Sequence, residues 1–328
     1  MTADDDQAVF RPMISRSMLR MSFVVLAAAA LVVSLAPRQT SSAAEEQAKP
    51  MQVGDIDYAA KSPPSKSGYV PVNGLEMYYE VHGQGGTPLV LVHGAFSAIG
   101  TSFGKLLPDL AGHRQVIAFE LQGHGHTADI DRPLSMEQMA DDIAAAMPKL
   151  GVEKADVFGY SMGGGVALRL AIQHPERVRK LVLLSIGYNR AGAHPGFWEG
   201  MANFKPEMMK GTPWYEEYQR IAPRPGDFAA LFAKKTEMDR LTKDLPADAI
   251  KGLPPTLIMM GDSDIMRPEH AVEMFRLLGG GVIGDLAGLP NSQLAILPGA
   301  SHAMIINRAD LILPMITPFL DAPMPTAK

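Results

Sequence analysis

The 328-residue chain carries a formal net charge of −5 at pH 7, and 47% of its residues are hydrophobic, so it can bury a large core. It has no basic block beyond its amino-terminal region, which argues against nucleic acid as a partner because phosphates require clustered Lys and Arg. The absence of cysteine excludes disulfides, a thiol nucleophile and thiolate metal sites.

The amino-terminal region has the pattern of a secretory signal peptide. Three arginines between positions 11 and 20 precede an apolar run from Phe23 to Ala36, and small residues follow at 41–44. The run is about 15 residues long, short of the roughly 20 that a helix needs to cross a bilayer. We therefore expect residues 1–44 to be a signal peptide and the protein to be exported, either periplasmic or secreted. The alternative is a protein tethered to the membrane by an uncleaved amino-terminal segment.

The rest of the chain has the organisation of an α/β protein. Residues 45–66 are polar, contain three prolines and are typical of a linker. Beyond them, short apolar runs alternate with helical patterns, which predicts a mostly parallel sheet flanked by helices. The predicted strands are 69–72, 75–81, 89–92, 116–120, 156–159, 178–185, 256–260 and 293–297. Asn73-Gly74 favours a hairpin between the first two strands.

Helical patterns occupy the segments between these strands. Ser135, with Gln138 three residues later, fits a capping box at the start of one helix, and a second helix is predicted over 164–173. Residues 188–252, after the sixth strand, contain both tryptophans and helical rather than strand patterns. We expect this segment to be a helical cap over the carboxyl edge of the sheet, where ligands bind in open α/β folds. The core then comprises residues 67–187 and 253–328.

The strongest motif is Gly159-Tyr160-Ser161-Met162-Gly163, which fits the G-x-S-x-G pattern of a nucleophile elbow. An apolar strand enters the motif and a small-residue helix leaves it, as the elbow requires. The turn holds its serine in a strained backbone conformation, and glycines on both sides prevent collisions. Ser161 is therefore the predicted nucleophile.

A serine hydroxyl needs a base within hydrogen-bond reach and a group that orients the base. His302 follows the last predicted strand, at the carboxyl edge of the sheet, and is the predicted base. The acid should follow the strand at 256–260, where Asp262 and Asp264 are both available. We favour Asp264 because it lies further into the loop, and we expect Asp262 to form a turn.

Backbone N–H groups must stabilise the oxyanion of a tetrahedral intermediate. We expect one from Met162, directly after the nucleophile, and one from Ala95, in the loop after the strand at 89–92. Gly94 would permit the close approach of this loop. His93 is expected to be a structural hydrogen-bonding residue of the loop rather than a catalytic one.

Together, these segments resemble the α/β-hydrolase superfamily, and more narrowly its capped esterase and haloperoxidase-like branch. The resemblance covers about residues 69–322 and includes a series of motifs: His93-Gly94, Gln122-Gly123-His124-Gly125, the Ser161 elbow, Pro175-Glu176-Arg177-Val178, the Gly261 to Pro268 segment and His302. It implies hydrolysis of a small-molecule ester or related acyl compound without a metal or organic cofactor. Ser161 argues against epoxide hydrolases and haloalkane dehalogenases, which carry Asp at the elbow.

Two features of the loop after residue 119 need separate interpretation. Glu120 departs from the resemblance, since many relatives have Asp there, and we expect this change to affect loop packing more than catalysis. His124 and His126 could belong to a zinc site, but the sequence offers no third ligand. We therefore expect no bound metal.

Aromatic residues near the predicted site indicate an apolar or aryl pocket. Those predicted to contact substrate are Phe96, Tyr160, Trp198 and Trp214. We therefore expect a carboxylesterase for small to medium apolar or aryl esters. Lactonase, perhydrolase and carbon–carbon hydrolase activities use the same triad and stay alternatives, with Arg190 a candidate partner for a substrate carboxylate in the last. A ligand receptor on the same fold is the non-enzyme alternative.

Overall fold

The computed structural model describes residues 63–325. The predicted signal peptide, and with it the expectation of export, lies outside the described residues, as does most of the predicted linker. No helix within residues 63–325 is both long enough and apolar enough to cross a membrane.

Eight strands form one sheet in the order β1-β2-β4-β3-β5-β6-β7-β8. The strands are β1 (Lys66–Val72), β2 (Leu75–His82), β3 (Leu89–Val92), β4 (Val116–Phe119), β5 (Ala155–Tyr160), β6 (Val178–Leu184), β7 (Thr256–Ser263) and β8 (Gln293–Ser301). The β1–β2 and β2–β4 pairs are antiparallel, and all the other pairs are parallel. The predicted mostly parallel sheet is confirmed.

Helices cover both faces of this sheet. They are α1 (Ile99–Phe103), α2 (Leu107–Ala111), α3 (Met136–Lys149), α4 (Met162–Gln173), α5 (Phe197–Ala202), α6 (Pro213–Ile221), α7 (Phe228–Leu241), α8 (Ala247–Lys251), α9 (Pro268–Leu277), α10 (Gly284–Ala287) and α11 (Ala309–Asp321). Buried residues of α3, α4 and α9 form one hydrophobic cluster with the sheet, and those of α1, α2 and α11 form the other. Successive side chains of a strand point to opposite faces, so in β3 Val90 and Val92 join the first cluster while Leu89 and Leu91 join the second.

Three strand boundaries differ from the predicted ones by three residues or more. β1 begins at Lys66, so the predicted linker overlaps its first residue. β7 runs to Ser263 and β8 to Ser301, beyond the apolar runs that predicted them. Both extensions come from pairing between the two strands, in which Ser263 is the partner of Ser301 after a register shift. Local hydrophobic pattern cannot reveal such an extension, since it depends on the neighbouring strand.

The predicted capping box at α3 is only half formed. The Ser135 hydroxyl accepts a hydrogen bond from the backbone N–H of Gln138 at 3.0 Å, as an N-cap residue should. The Gln138 side chain does not reach back to Ser135 but donates to Asp142 at 3.4 Å. Asp142 also accepts two hydrogen bonds from Arg132, at 2.6 and 3.1 Å, which draws the polar side chains toward this buried carboxylate.

Residues 188–252, called the inserted segment below, contain helices α5–α8 between β6 and β7. Its helix α7 contributes Phe228, Leu231 and Phe232 to the first hydrophobic cluster. Phe232 stacks on Phe96, in the loop after β3, with ring centroids 5.2 Å apart. The inserted segment is therefore anchored beside the carboxyl end of β3.

Candidate active site

Ser161 lies at the sharp turn between β5 and α4. Its φ of 52° and ψ of −121° belong to a region that residues other than glycine rarely adopt. Glycines on both sides make the turn possible. A Cβ on Gly163 would lie 2.1 Å from the carbonyl oxygen of Val92, and one on Gly159 would lie 2.3 Å from that of Gly163. The turn leaves Ser161 partly exposed at the carboxyl end of the sheet, with α4 packed tightly behind it.

Ser161, His302 and Asp264 form a continuous chain of hydrogen bonds. Ser161 Oγ lies 2.8 Å from His302 Nε2, and His302 Nδ1 lies 2.7 Å from Asp264 Oδ1. Because a carboxylate only accepts hydrogen bonds, Nδ1 carries the ring proton and Nε2 is free to accept the serine proton. This order of groups can activate the hydroxyl as a nucleophile.

The pairing of β7 with β8 explains why the acid and the base meet. Ser263 and Ser301 are register partners, so Asp264 and His302, the next residue on each strand, emerge side by side. The two strands approach so closely that a Cβ on Gly261 would lie 1.9 Å from the carbonyl oxygen of Ala300. The extension of both strands thus positions the Asp264–His302 contact.

Asp264 is buried and held by further donors. Its Oδ2 accepts a hydrogen bond from the Ser185 hydroxyl at 2.5 Å, and its Oδ1 also accepts one from the backbone N–H of Met266 at 3.4 Å. Burial opposes ionisation, but the hydrogen bonds from His302, Ser185 and Met266 outweigh it and hold the pKa of Asp264 below its usual range. Asp264 is therefore ionised at neutral pH.

The other aspartate of the loop, Asp262, has a different task. Its Oδ2 accepts a hydrogen bond from the backbone N–H of Gly299 at 2.9 Å, and its Oδ1 accepts one from Ala300 at 3.3 Å. Asp262 therefore ties the end of β7 to the turn in β8, and it is Asp264 that contacts His302. The sequence left both residues available for that contact and favoured Asp264.

The two predicted oxyanion donors border the nucleophile. Gly94 lies so close to Ser161 that a Cβ built on it would be 3.5 Å from the serine Cβ, and Ala95 is the next residue. Met162 is the first residue of α4. Within residues 63–325, the backbone N–H groups of Ala95 and Met162 donate to no other residue. Both are thus available to a ligand beside Ser161.

His93 fixes the loop that carries Ala95. Its Nδ1 donates to the carbonyl oxygen of Gly94 at 2.7 Å, and its Nε2 accepts from the backbone N–H of Leu121 at 3.0 Å. Burial lowers the pKa of His93 to about 4, so the ring is neutral and can play both roles. It is a structural hydrogen-bonding residue, as the sequence predicted.

Glu120 organises the next loop. Its Oε2 accepts hydrogen bonds from the backbone N–H and the ring of His126, at 2.5 and 2.9 Å, and its Oε1 accepts from the backbone N–H of Ile99 at 3.2 Å. The hydrogen bond to Glu120 raises the pKa of His126. His124 instead donates through Nδ1 to the carbonyl oxygen of Gln122 at 2.9 Å, so the two histidine rings serve different partners. In the part of the chain that the structure describes, no three potential ligands are placed to hold a metal ion.

A cavity of about 840 Å³, counting its open mouth, lies beside Ser161 and His302. Most of its apolar wall comes from methionines and aromatic residues: Met136, Met162, Met201, Met266, Phe197 and Trp198. Trp198, one of the predicted substrate contacts, lines the cavity. The wall also includes charged residues that the sequence did not single out, among them Arg169, Lys235 and Asp239.

The structure does not bring the other three predicted contact residues to the cavity wall. Tyr160 is 4% exposed, and its hydroxyl donates to the carbonyl oxygen of His302 at 2.8 Å. Its ring belongs to the second hydrophobic cluster, whereas Met162 and Met266 of the cavity wall belong to the first. Phe96 stacks on Phe232, and Trp214 packs against the first hydrophobic cluster. These rings join the inserted segment and the nucleophile elbow to the core.

Known proteins with similar sequences include both hydrolases and the dihydrolipoyllysine-residue acetyltransferase component of an acetoin cleaving system. The chain is 28% identical over 265 residues to a pimeloyl-[acyl-carrier protein] methyl ester esterase of Pectobacterium carotovorum subsp. carotovorum (strain PC1), covering 75% of this chain and 99% of the relative. It is 38% identical over 207 residues to a 2-hydroxymuconate semialdehyde hydrolase of Pseudomonas sp. (strain CF600), covering 56% of this chain and 72% of the relative.

The fold has counterparts among solved structures. The enol-lactonase of Burkholderia xenovorans LB400 superposes with a TM-score of 0.59 and 22% identity, covering 77% of this chain and all of that chain. At this identity the likeness shows the fold alone. A family model described as the alpha/beta hydrolase fold matches residues 87–309, which include Ala95, the Ser161 elbow, Asp264 and His302. The chain therefore belongs to the α/β-hydrolase family.

Proposed function

We propose that the protein is a serine hydrolase that cleaves carboxylic esters of small to medium apolar or aryl substrates. The hydrogen-bonded chain from Ser161 through His302 to Asp264, at the wall of a largely apolar cavity, carries this proposal. The pimeloyl methyl ester esterase among its relatives supports the choice of an ester substrate.

In the first half of the reaction, His302 Nε2 takes the hydroxyl proton of Ser161, and Oγ attacks the ester carbonyl carbon. The negative charge that develops on the carbonyl oxygen is stabilised by the backbone N–H groups of Ala95 and Met162 and by the amino-terminal end of α4. Asp264 stabilises the protonated His302. His302 then gives its proton to the departing alcohol oxygen, which leaves an acyl group on Ser161.

In the second half, a water molecule replaces the alcohol. His302 takes a proton from this water, the hydroxide attacks the acyl carbon, and the same N–H donors stabilise the second tetrahedral intermediate. Return of the proton to Ser161 Oγ releases the acid. Opening of a lactone requires the same steps, so a panel of esters and lactones decides which substrate class reacts fastest.

Export is part of the same proposal. It rests on the arginines, apolar run and small residues of the first 44 positions. Cell fractionation of the full chain and amino-terminal sequencing of the mature protein would test it, together with the alternative of an uncleaved tether.

The decisive experiment compares wild type with Ser161→Ala in p-nitrophenyl ester hydrolysis and in labelling by a fluorophosphonate. We expect the variant to lose at least about 10⁴-fold in turnover and all labelling, because the nucleophile is gone and only binding and the oxyanion donors remain. Ser67→Ala, at an exposed serine of β1, is the matched control and should behave like wild type. A folded wild-type protein that neither hydrolyses the ester nor reacts with the fluorophosphonate would favour the alternative that the protein is a ligand receptor.

A further inference from the structure

The wall of the cavity carries an excess of positive charge. Its cationic residues are Arg169, Arg190, Lys235 and Lys243, and its acidic residues are Asp239 and Asp244. Glu137 pairs with Arg169 at 2.5 Å, so the wall keeps an excess of one positive charge. The chain as a whole has a formal net charge of −5, so this local excess does not follow from the composition. A cationic wall beside an ester-cleaving serine raises the local concentration of anionic molecules.

Among residues 63–325, the Arg190 guanidinium is held in place without a carboxylate partner, while the Asp244 carboxylate accepts from the Arg190 backbone N–H at 2.7 Å. The guanidinium lies 4.0 Å from the centre of the Trp198 ring, and its Nη1 donates to the backbone carbonyl oxygen of Asp239 at 2.7 Å. Within residues 63–325, no carboxylate forms an ion pair with it. The stacked ring and the carbonyl fix the orientation of the guanidinium, and its remaining N–H groups can still donate to a ligand.

Lys235 lies on the same side of the cavity. Its Nζ is 2.5 Å from Asp239 Oδ2 and 5.9 Å from the centre of the Phe96 ring, and its side chain is only 12% exposed. Lys235 and Arg190 thus converge on Asp239, one through its carboxylate and the other through its backbone carbonyl. Only Lys235 is paired with the Asp239 carboxylate, so the two cations together carry one more positive charge than this carboxylate neutralises, which favours the binding of a second anion.

We propose that Arg190 and Lys235 bind an anionic group, such as a carboxylate, that the ester substrate carries in addition to its scissile bond. The methionines and Trp198 would contact the apolar part between the two groups. The inference rests on the proposed function for the reaction itself, but it concerns a different part of the cavity. It narrows the substrate class from apolar esters to esters of amphipathic, acidic molecules.

The test uses two p-nitrophenyl esters of equal acyl length, the half-ester of adipic acid and the hexanoate, which differ only in the terminal carboxylate. We expect wild type to prefer the adipate, measured as the ratio of the two kcat/KM values. Arg190→Gln and Lys235→Met should each lower this ratio about tenfold, mainly through a higher KM for the adipate. Arg190→Lys should recover part of it, because the charge is kept and only the planar donor set is lost.

A variant that should raise the adipate preference, rather than lower it, separates charge recognition from damage to the fold. Asp239→Asn removes the carboxylate that competes with the ligand, so the adipate preference should rise several-fold. Arg240→Gln removes an exposed positive charge from the same helix outside the cavity and should leave the ratio unchanged. Equal ratios in all variants, or equal losses for both esters, would overturn the proposal.

Ligand binding to Ser161→Ala distinguishes a failure of the anion-binding anchor, formed by Arg190 and Lys235, from a failure of the proposed function. Calorimetric titration with monomethyl adipate and with methyl hexanoate needs no turnover. Tighter binding of the adipate, reversed by Arg190→Gln, would support the anchor even in a protein that hydrolyses neither ester. Turnover of both esters without this preference would overturn the anion-binding anchor but would still support the hydrolase proposal.

Discussion

At the scale of single residues, the orienting acid is the most constrained group of the site. Both oxygens of Asp264 accept hydrogen bonds, from His302 and Met266 on one side and from Ser185 on the other. Ser185 stands directly after β6, the strand next to β7, with a φ of 58°. Its hydroxyl therefore reaches the carboxylate from the neighbouring strand and leaves Asp264 one geometry in which to hold His302.

Replacement of Ser185 tests this positioning role. We expect Ser185→Ala to lower kcat/KM about tenfold through looser orientation of His302, and to lower the free energy of unfolding by about 2 kcal/mol because a buried charge loses a donor. Ester kinetics and urea unfolding at pH 7 measure the two effects. Ser185→Gly should lose the same activity but less stability, since glycine tolerates a φ of 58°. Full activity in both variants would leave Ser185 no role in the site.

Sequence reasoning identified the residues of this site that belong to local motifs and missed those that act over distance. Ser161 and His302 follow strands in recognisable local motifs, so their positions in the site could be predicted from the sequence. Ser185 and Asp264 are 79 positions apart, and only the order of strands in the sheet makes them neighbours. Lys235 was missed for a similar reason, because on a helix of mixed polarity no local pattern shows which charged side chain faces a cavity.

At the scale of elements, the close contact of α4 with β3 sets the geometry of the two proposed oxyanion donors. Gly163 allows the first turn of α4 to lie against the carbonyl groups of Val92 and His93. The N–H group of Met162 belongs to this turn, and the N–H group of Ala95 belongs to the loop after β3. Any increase in the spacing between helix and strand would therefore separate the two donors.

Two glycines of α4 provide a matched comparison. A Cβ at position 163 would lie 2.1 Å from the backbone oxygen of Val92, whereas one at position 165 would meet the flexible end of Met136 at 2.6 Å. We expect Gly163→Ala to lower the free energy of unfolding by about 3 kcal/mol or more and to abolish most activity. Gly165→Ala should change stability by no more than about 1 kcal/mol, as alanine favours the helix and the thioether can move. Urea unfolding monitored by circular dichroism, with ester kinetics, separates these outcomes; similar stabilities would contradict the steric argument.

The sequence predicted all eight strands, because apolar runs bounded by turn residues are visible without any tertiary information. It did not predict that β7 and β8 continue past their apolar runs. The polar residues Ser263 and Ser301 belong to strands only because they pair with each other. The half-formed capping box has a similar cause. Gln138 turns toward the buried Asp142, a tertiary contact that outweighs the local motif.

At the scale of the whole molecule, the carboxyl edge of the sheet is built around neutral buried histidines. Burial lowers the pKa of both His93 and His124 to about 4. His124 donates through Nδ1 to Gln122, while its Nε2 is buried and has no hydrogen-bond partner within residues 63–325. Protonation of either ring would place a charge in the interior, so the fold depends on both staying neutral.

Acid should therefore destabilise the protein between about pH 6.5 and pH 4. The unfolded chain binds a proton at each of these histidines near their ordinary pKa of about 6.5, whereas the folded protein resists protonation down to about 4. Their contribution to stability is full above the unfolded pKa and is lost as the pH falls, by about 2 kcal/mol for each histidine at pH 5. His126, whose pKa is raised by Glu120, acts in the opposite direction and makes the net loss smaller.

Replacement of one buried histidine isolates this effect. We expect His124→Phe to lower the free energy of unfolding at pH 7 by about 1 kcal/mol, because the Gln122 carbonyl loses its donor. Between pH 7 and pH 5, however, the free energy of unfolding of the variant should fall by about 2 kcal/mol less than that of wild type. Urea unfolding at a series of pH values gives both quantities. His113→Gln, at an exposed histidine, is the matched control and should keep the wild-type pH dependence. An unchanged slope in His124→Phe would mean that this ring is protonated in the folded protein, and a neutral His124 could then no longer explain the acid sensitivity.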